Sequence, residues 1–383
     1  MSVFVQDTAR NTLIPWVKKG VTDGYVRGAV LSPFTSPPEA NGFKKSAVDT
    51  SDAIREAGGE FWFDPTTHGL DMPRAGDFRF YDDWELWPEV RGDLSSHALR
   101  SGHIARVFDH QRRLSSPLLA PTTLVSYPDS QRSQLALTLS RDAVDIDQGA
   151  WLTVAGDAEF WQAGAELDAH VGALDQLEPA GWMLVVARSE NAMPPAASAE
   201  EVFGLMRTTF ALSQDRPVWV AFGDLAAVPA LAVGASGVGT GWDMRQRICA
   251  YQDFEERLAN GAGGGSWYQR PSLERLMGSL KQGDFQVLRS ENQRFQEAIT
   301  PGTIGPKPQE AFVHHARVLV SLANALETGT VRERCVELRE RYLEARENWP
   351  RVQAITGTAT GASRWVDPFR AGTEMFMESE GWL

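Results

Sequence analysis

The sequence holds only two cysteines, Cys249 and Cys335, in 383 residues. Two thiols exclude a disulfide framework and a zinc site of four thiolates. Each reads as a small buried side chain. Positive charge is also scarce: 37 Lys and Arg stand against 50 Asp and Glu, a net charge of −13. That argues against a broad nucleic-acid-binding face, which needs excess Lys and Arg, but leaves room for a local basic pocket. No run approaches the roughly 18 apolar residues of a membrane span. The opening residues, MSVFVQDTARNTLIPW, lack the basic-then-apolar order of a secretory signal. A cytoplasmic protein without membrane contact is expected. The motifs G-x-x-x-x-G-K-[ST], G-x-S-x-G and His-Glu-x-x-His are missing, as is a G-x-G-x-x-G after the first apolar run. Their absence removes support for a P-loop, a nucleophile elbow, a hydrolytic zinc site and an N-terminal dinucleotide fold.

What is present is apolar and regular. Apolar residues make up 43% of the chain, enough to bury a sizeable core. Eight short apolar runs occur, at 3–6, 28–34, 60–65, 117–123, 150–156, 181–189, 217–224 and 236–241. They are continuous, as in parallel strands buried on both faces. Each of the first seven is followed by a helix-like stretch. One such stretch carries Leu167, Val171, Leu174 and Leu177 on a single stripe. Strict alternation predicts an α/β fold, and eight units in this length predict a (β/α)8 (TIM) barrel with a C-terminal helical extension. An open doubly wound sheet is the rival. The barrel is assigned to residues 1–250 and the extension to 251–383. Within the extension, 260–266 is a glycine-rich link, and 300–309 is a second break. An αα-hairpin is expected over about 307–349, turning at Gly329. Its helices would pack on the barrel or on a second subunit, giving a homo-oligomer.

In a (β/α)8 barrel the active site lies at the C-terminal ends of the strands, where loops and helix N-termini bring donors together. The polar residues there are the candidates, Gln6, Asp7, Ser32, Asp157 and Arg188 among them. Asp64 and His68, in FWFDPTTHGL, fit a general base and acid. Glu190, in RSENAMPP, and Asp224, in FGD, add carboxylates that suit acid–base or glycosyl chemistry. Against these stand plainer readings: Asp before Pro opens turns, and polar residues are common in loops. Trp62, Trp151, Trp182 and Trp219 are read as packing between sheet and helices. The aromatic loop FRFYDDWELWPEV reads as a lid or as a loop burying its own rings. His314 and His315 read as structural. No metal ligands are assigned, and the cofactor is unknown.

The stretch VGASGVGTGWDMRQR alternates glycines and then supplies two arginines. Together with the residues before it, it resembles the closing units of phosphate-binding (β/α)8 barrels, whose A-x-A-x-G-A-x-x-V-x-x-G pattern falls here on Ala230, Ala232, Gly234, Ala235, Val238 and Gly241. The resemblance implies that Gly223, Gly239, Thr240 and Gly241 hold an anion on backbone N–H groups, with Arg245 or Arg247 adding charge. The alternative is that the glycines relieve crowding where the barrel closes. The family's paired glycines after the seventh strand are missing, which counts against a flavin phosphate. The segment is also faintly similar to tRNA-guanine transglycosylases. It lacks their aspartate on the last strand and their three zinc-binding cysteines. The expected function is therefore an enzyme acting on a phosphorylated small molecule or nucleotide-like ligand by acid–base chemistry. Glycosyl or nucleobase transfer is one alternative. A non-catalytic barrel that interacts through its C-terminal helices is another.

Overall fold

The computed structural model describes residues 1–6, 14–42, 44–190, 192–193, 195–256, 271–300, 304–305 and 307–383. Asp7, the glycine-rich link at 260–266 and part of the break at 300–309 lie outside the described residues.

Seven parallel strands form one curled sheet, a half-barrel, in the order β3-β2-β1-β7-β6-β5-β4. They are β1 (Ser2–Gln6), β2 (Gly28–Leu31), β3 (Glu60–Phe63), β4 (Trp151–Gly156), β5 (Gly181–Arg188), β6 (Val218–Ala221) and β7 (Gly237–Thr240). The N-terminal strand β1 is central, paired with β2 on one side and β7 on the other. Helices alternate with the strands: α1 (Ile14–Thr22), α2 (Ala47–Glu56), α3 (His97–Arg113), α4 (Gln131–Ile146), α5 (Ala158–Trp161), α6 (Ala165–Asp175), α7 (Ala199–Leu212) and α8 (Val228–Ala232). After β7 come α9 (Met244–Arg247), the short strands β8 (Cys249–Ala250), β9 (Ser272–Leu273) and β10 (Gly278–Ser279), and then five helices. These are α10 (Gln282–Glu291), α11 (Gln293–Ile299), α12 (Pro308–Ala325), α13 (Val331–Thr356) and α14 (Val366–Ser379).

Of the eight apolar runs, 117–123 is the one that forms no strand. It runs beside β4 and meets it through single bridges, Leu119 to Trp151 and Val125 to Gly156. Pro117 and Pro121 explain this: each removes a backbone donor that a ladder would use. A side chain supplies what the ladder lacks. Gln111 of α3 donates to the carbonyls of Phe63 and Leu119, both at 2.9 Å, and accepts from Leu119 N–H at 3.0 Å. It thereby ties the edge strand β3 to the run beside β4.

The inside of the curl is aromatic. Trp62 of β3 meets Trp151 of β4 edge-on at 4.9 Å, so rings from the two edges of the sheet touch. Trp62 also meets Trp219 at 5.4 Å, and Trp219 meets Phe4 at 5.2 Å. Three of the four strand tryptophans therefore pack inside the curl, not between sheet and helices as the sequence suggested. Rings of this size remove roughly 150–250 Å² each from water, on the order of 4–6 kcal/mol gross. Glycines on the same face make the room. A Cβ on Gly181 would lie 2.6 Å from the Trp151 ring, and one on Gly237 would lie 3.3 Å from the Phe4 ring.

The C-terminal helices pack on this body. A Cβ on Gly372 of α14 would lie 2.6 Å from the Ala199 carbonyl at the start of α7, so the two helices touch backbone to backbone. Helices α12 and α13 turn at Gly329, whose φ of +86° suits glycine. Among the described residues, no helix is long and apolar enough to cross a membrane.

Candidate functional site

The C-terminal ends of the strands are crossed by one segment, residues 242–256. It leaves β7 and sends Gln246 Nε2 to the Gln6 carbonyl at the end of β1, at 2.5 Å. It then pairs β8 with the end of β5, Ala187 opposite Cys249. Tyr251 donates to Asp157 Oδ2, just beyond β4, at 3.1 Å. The Phe254 ring ends the crossing on Phe34, at 5.0 Å. This strap occupies the mouth of the curl and sorts the candidate residues into three groups.

The first group lies beneath the strap. Asp64 is buried, and its Oδ1 accepts from Thr66 N–H at 2.7 Å. Thr66 has φ 48° and donates its hydroxyl to Ser32 Oγ at 3.0 Å. His68 is also buried, and burial lowers its pKa to about 4, which keeps the ring neutral. Among the described residues, its Nε2 has no hydrogen-bond partner, nor has Gln6 Nε2. Arg245 is held by Asp253 of the strap at 3.3 Å and lines a void of about 20 Å³ with Ser32, Phe222 and Phe254.

The glycines after Ala235 point into the same interior. A Cβ on Gly239 would lie 2.4 Å from Gln6 Nε2 and 2.9 Å from Phe222 N. One on Gly241 would lie 2.2 Å from the Gln246 side chain. The space these glycines free is taken by side chains of β1 and the strap and by the backbone at Ala221 and Phe222.

The second group is a sealed polar cluster around Asp224. Its carboxylate accepts a two-pronged pair from Arg247, 2.6 and 3.0 Å, and a bond from His315 Nε2 at 3.0 Å. The Thr240 hydroxyl and the Leu225 N–H complete its shell. Burial alone would raise the Asp224 pKa; the Arg247 charge and the His315 contact outweigh it and hold the carboxyl well below the usual carboxylate range. Burial and the same guanidinium press the His315 pKa down, so the neutral ring donates from Nε2 and accepts the Ser272 hydroxyl at Nδ1, 2.7 Å away. Ser272, His315 and Asp224 form a continuous chain, but Ser272 is fully buried. This chain is an internal tie between the strand ends and the helical extension. It has no solvent-facing nucleophile. The backbone beside it is strained: Phe222 and Asp224, flanking Gly223, have φ of 51° and 48°. Such strain concentrates at functional sites.

The third group is open. A cleft of about 400 Å³ lies beyond the ends of β4 and β5, lined by Asp157, Glu159, Arg188, Glu190, Tyr251 and Arg364. Glu190 is well exposed and faces Arg364 at 3.6 Å, bringing the helical extension to the rim. Arg188 is buried and paired with Glu201 of α7, whose own pKa burial pushes up. Asp157 is fixed by Ser126, Tyr251 and the N–H groups of Glu159 and Phe160. Burial, then the Asp157 charge, push the Tyr251 phenol pKa up, so it stays protonated and donates. Arg188 also lines an inner void of about 20 Å³ that includes Gly223 and Arg247.

The structure therefore places Asp64 and His68 in one buried turn, Asp224 with Thr240 in the sealed cluster, and Glu190 apart on the open cleft. His315, Ser272, Tyr251 and Arg364 join these groups from segments that the sequence left unassigned or marked as structural, and Arg247, expected to add charge for an anion, pairs with Asp224. The polar pair His314–His315 inside an apolar helix was the available signal. The aromatic loop buries its own rings: Tyr81 and Trp84 are buried, and Trp87 stacks on His103 at 3.8 Å. Among the described residues, no group of three or more His, Cys, Asp and Glu side chains could hold a metal ion. No protein-family model matches the chain, and no curated protein matches it.

Proposed function

We propose that the curl is a closed (β/α)8 barrel, with 117–125 as its fourth stave. We propose further that the protein is an enzyme acting on a small polar molecule in the cleft beyond β4 and β5. The bridges to β4, the Gln111 tie and the Trp62–Trp151 contact support the closure. The observation that carries the site is the position of Arg188. It lines both the open cleft and the inner void that holds Gly223 and Arg247. A ligand entering from solvent thus meets one guanidinium at the rim, Arg364, and a second at the inner wall. The ligand carries one anionic group, phosphoryl or carboxylate, because Asp157, Glu159 and Glu190 line the same cleft and oppose a higher negative charge. Glu190, an exposed carboxyl on the cleft, serves as the acid–base group.

Ribose 5-phosphate is the probe. Wild type is expected to melt at a higher temperature with it, and Arg364→Ala is expected to lose that rise. A rise retained in Arg364→Ala overturns the assignment of the cleft.

Glycosyl or nucleobase transfer is favoured by one observation, that Asp157 and Glu190 are among three carboxyls that share this cleft. In that case Glu190→Gln abolishes turnover of a nucleoside while phosphate binding persists.

A further inference from the structure

A larger groove lies away from the strand ends, on the outer surface between α1 and α12. It measures about 810 Å³, within the usual range for small-molecule sites. Its walls combine two cations, Lys19 and Arg317, with a floor of Val313 and Val318. The charges on these walls differ in availability. Glu274 already accepts from Ser321 at 3.3 Å and from Arg341 at 3.2 Å. Glu310 accepts the Lys307 N–H at 2.9 Å, closing the first turn of its own helix. Lys19 has a partner, Asp23, on its own exposed helix end at 2.8 Å. Arg317 is exposed and makes no ion pair among the described residues; its guanidinium rests 5.4 Å from the Tyr25 ring centre. That aromatic face holds the guanidinium without using its donors. Glu274 is therefore committed to Arg341, Glu310 keeps its charge at the start of its own helix, and a guanidinium with unused donors faces the groove.

From this we infer a second ligand site, for a phosphate monoester with an apolar or aromatic body. The phosphoryl oxygens take paired N–H bonds from Arg317 and the charge of Lys19. The body lies along Val313 and Val318. An inorganic phosphate alone fills only a small part of the groove, so the body contributes to affinity. The His314 ring borders the site in its neutral form: burial lowers its pKa, and its Nε2 donates to the Ser272 carbonyl at 2.8 Å. It therefore brings no positive charge of its own. Binding here touches α12, which also carries His315 of the sealed cluster, so occupancy bears on the segment that joins the extension to the strand ends.

The test uses adenosine 5′-monophosphate, with adenosine and inorganic phosphate as separate arms, on the full chain. Trp16 is the reporter, since it sits on α1 with Lys19 and its ring contacts Trp242 at 4.2 Å and Phe312 of α12 at 6.2 Å. The monophosphate is expected to change Trp fluorescence saturably and to bind more tightly than either arm. Arg317→Ala is expected to weaken it by about tenfold or more, the scale of one charge-assisted pair. Lys19→Ala should weaken it less, and Arg317→Lys should restore part of the loss. Arg364→Ala, which tests the cleft, should leave this signal unchanged. Absence of saturable binding overturns the inference. So does binding indifferent to Arg317→Ala, or binding abolished by Arg364→Ala.

Discussion

Two Arg–carboxylate pairs at the strand ends use the same chemistry for different ends. Arg247 and Asp224 are both nearly inaccessible, joined by two bonds, and backed by His315 and Thr240. Arg364 and Glu190 are mostly exposed and meet at 3.6 Å. In the first pair the carboxylate and the guanidinium edge that faces it are bonded to the protein, so the charges fix where the helical extension sits. In the second the side chains keep most of their bonding capacity for solvent or a ligand. The contrast teaches that burial, more than residue type, separates a charge pair spent on the fold from one left accessible. A buried pair costs desolvation and must be fully satisfied, whereas an exposed pair contributes little to stability and stays available.

The largest test of this contrast breaks the buried pair. Arg247→Met leaves the Asp224 carboxylate without its main counter-charge and is expected to destabilise the fold by about 3–5 kcal/mol in chemical denaturation. A loss below about 1 kcal/mol would show that Asp224 is not sealed.

A middle-sized effect comes from pH. His68 binds protons less readily when folded, with its pKa lowered to about 4. Its contribution is fully present above the ordinary histidine pKa near 6.5. It declines as pH falls from there toward 4, because the unfolded chain then takes up a proton that the folded chain refuses. Between pH 7 and 5 this group alone accounts for a loss of about 2 kcal/mol. His103, likewise lowered to about 4 by burial, adds in the same direction. His68→Leu should therefore flatten the stability–pH curve over that window. An unchanged slope would mean that His68 is open to solvent.

The smallest effect belongs to the exposed pair. Glu190→Gln and Arg364→Ala should each change stability by less than about 0.5 kcal/mol. A melting-temperature loss comparable to that of Arg247→Met would collapse the distinction between the two pairs.

Much of the sheet was legible in the residues themselves. Continuous apolar runs such as GWMLVVARS suit strands covered on both faces, and seven of the eight runs form the curled parallel sheet. The run 117–123 has the same apolar character, but its two prolines leave it bonded through isolated bridges and a glutamine side chain. The alternating glycines at 237, 239 and 241 signalled close approach. What approaches them is Phe4, Gln6 and Gln246. The polar groups were legible one by one at the strand ends. Their grouping was not, because Arg247, Ser272 and His315 reach Asp224 from 23 to 91 residues away.

The sequence by itself determined most of the local units: where seven of the strands form, where helices follow them, and where side chains must be absent. These follow from short-range sterics and from the period of burial, both of which act within a few residues. Only the tertiary structure decided that the strap crosses the mouth of the curl, that Asp224 is sealed by Arg247 and His315, and that Glu190 stays open beside Arg364. Burial and charge pairing depend on which distant segments fold against each other. The local pattern around an aspartate or a glutamate is the same before that choice is made.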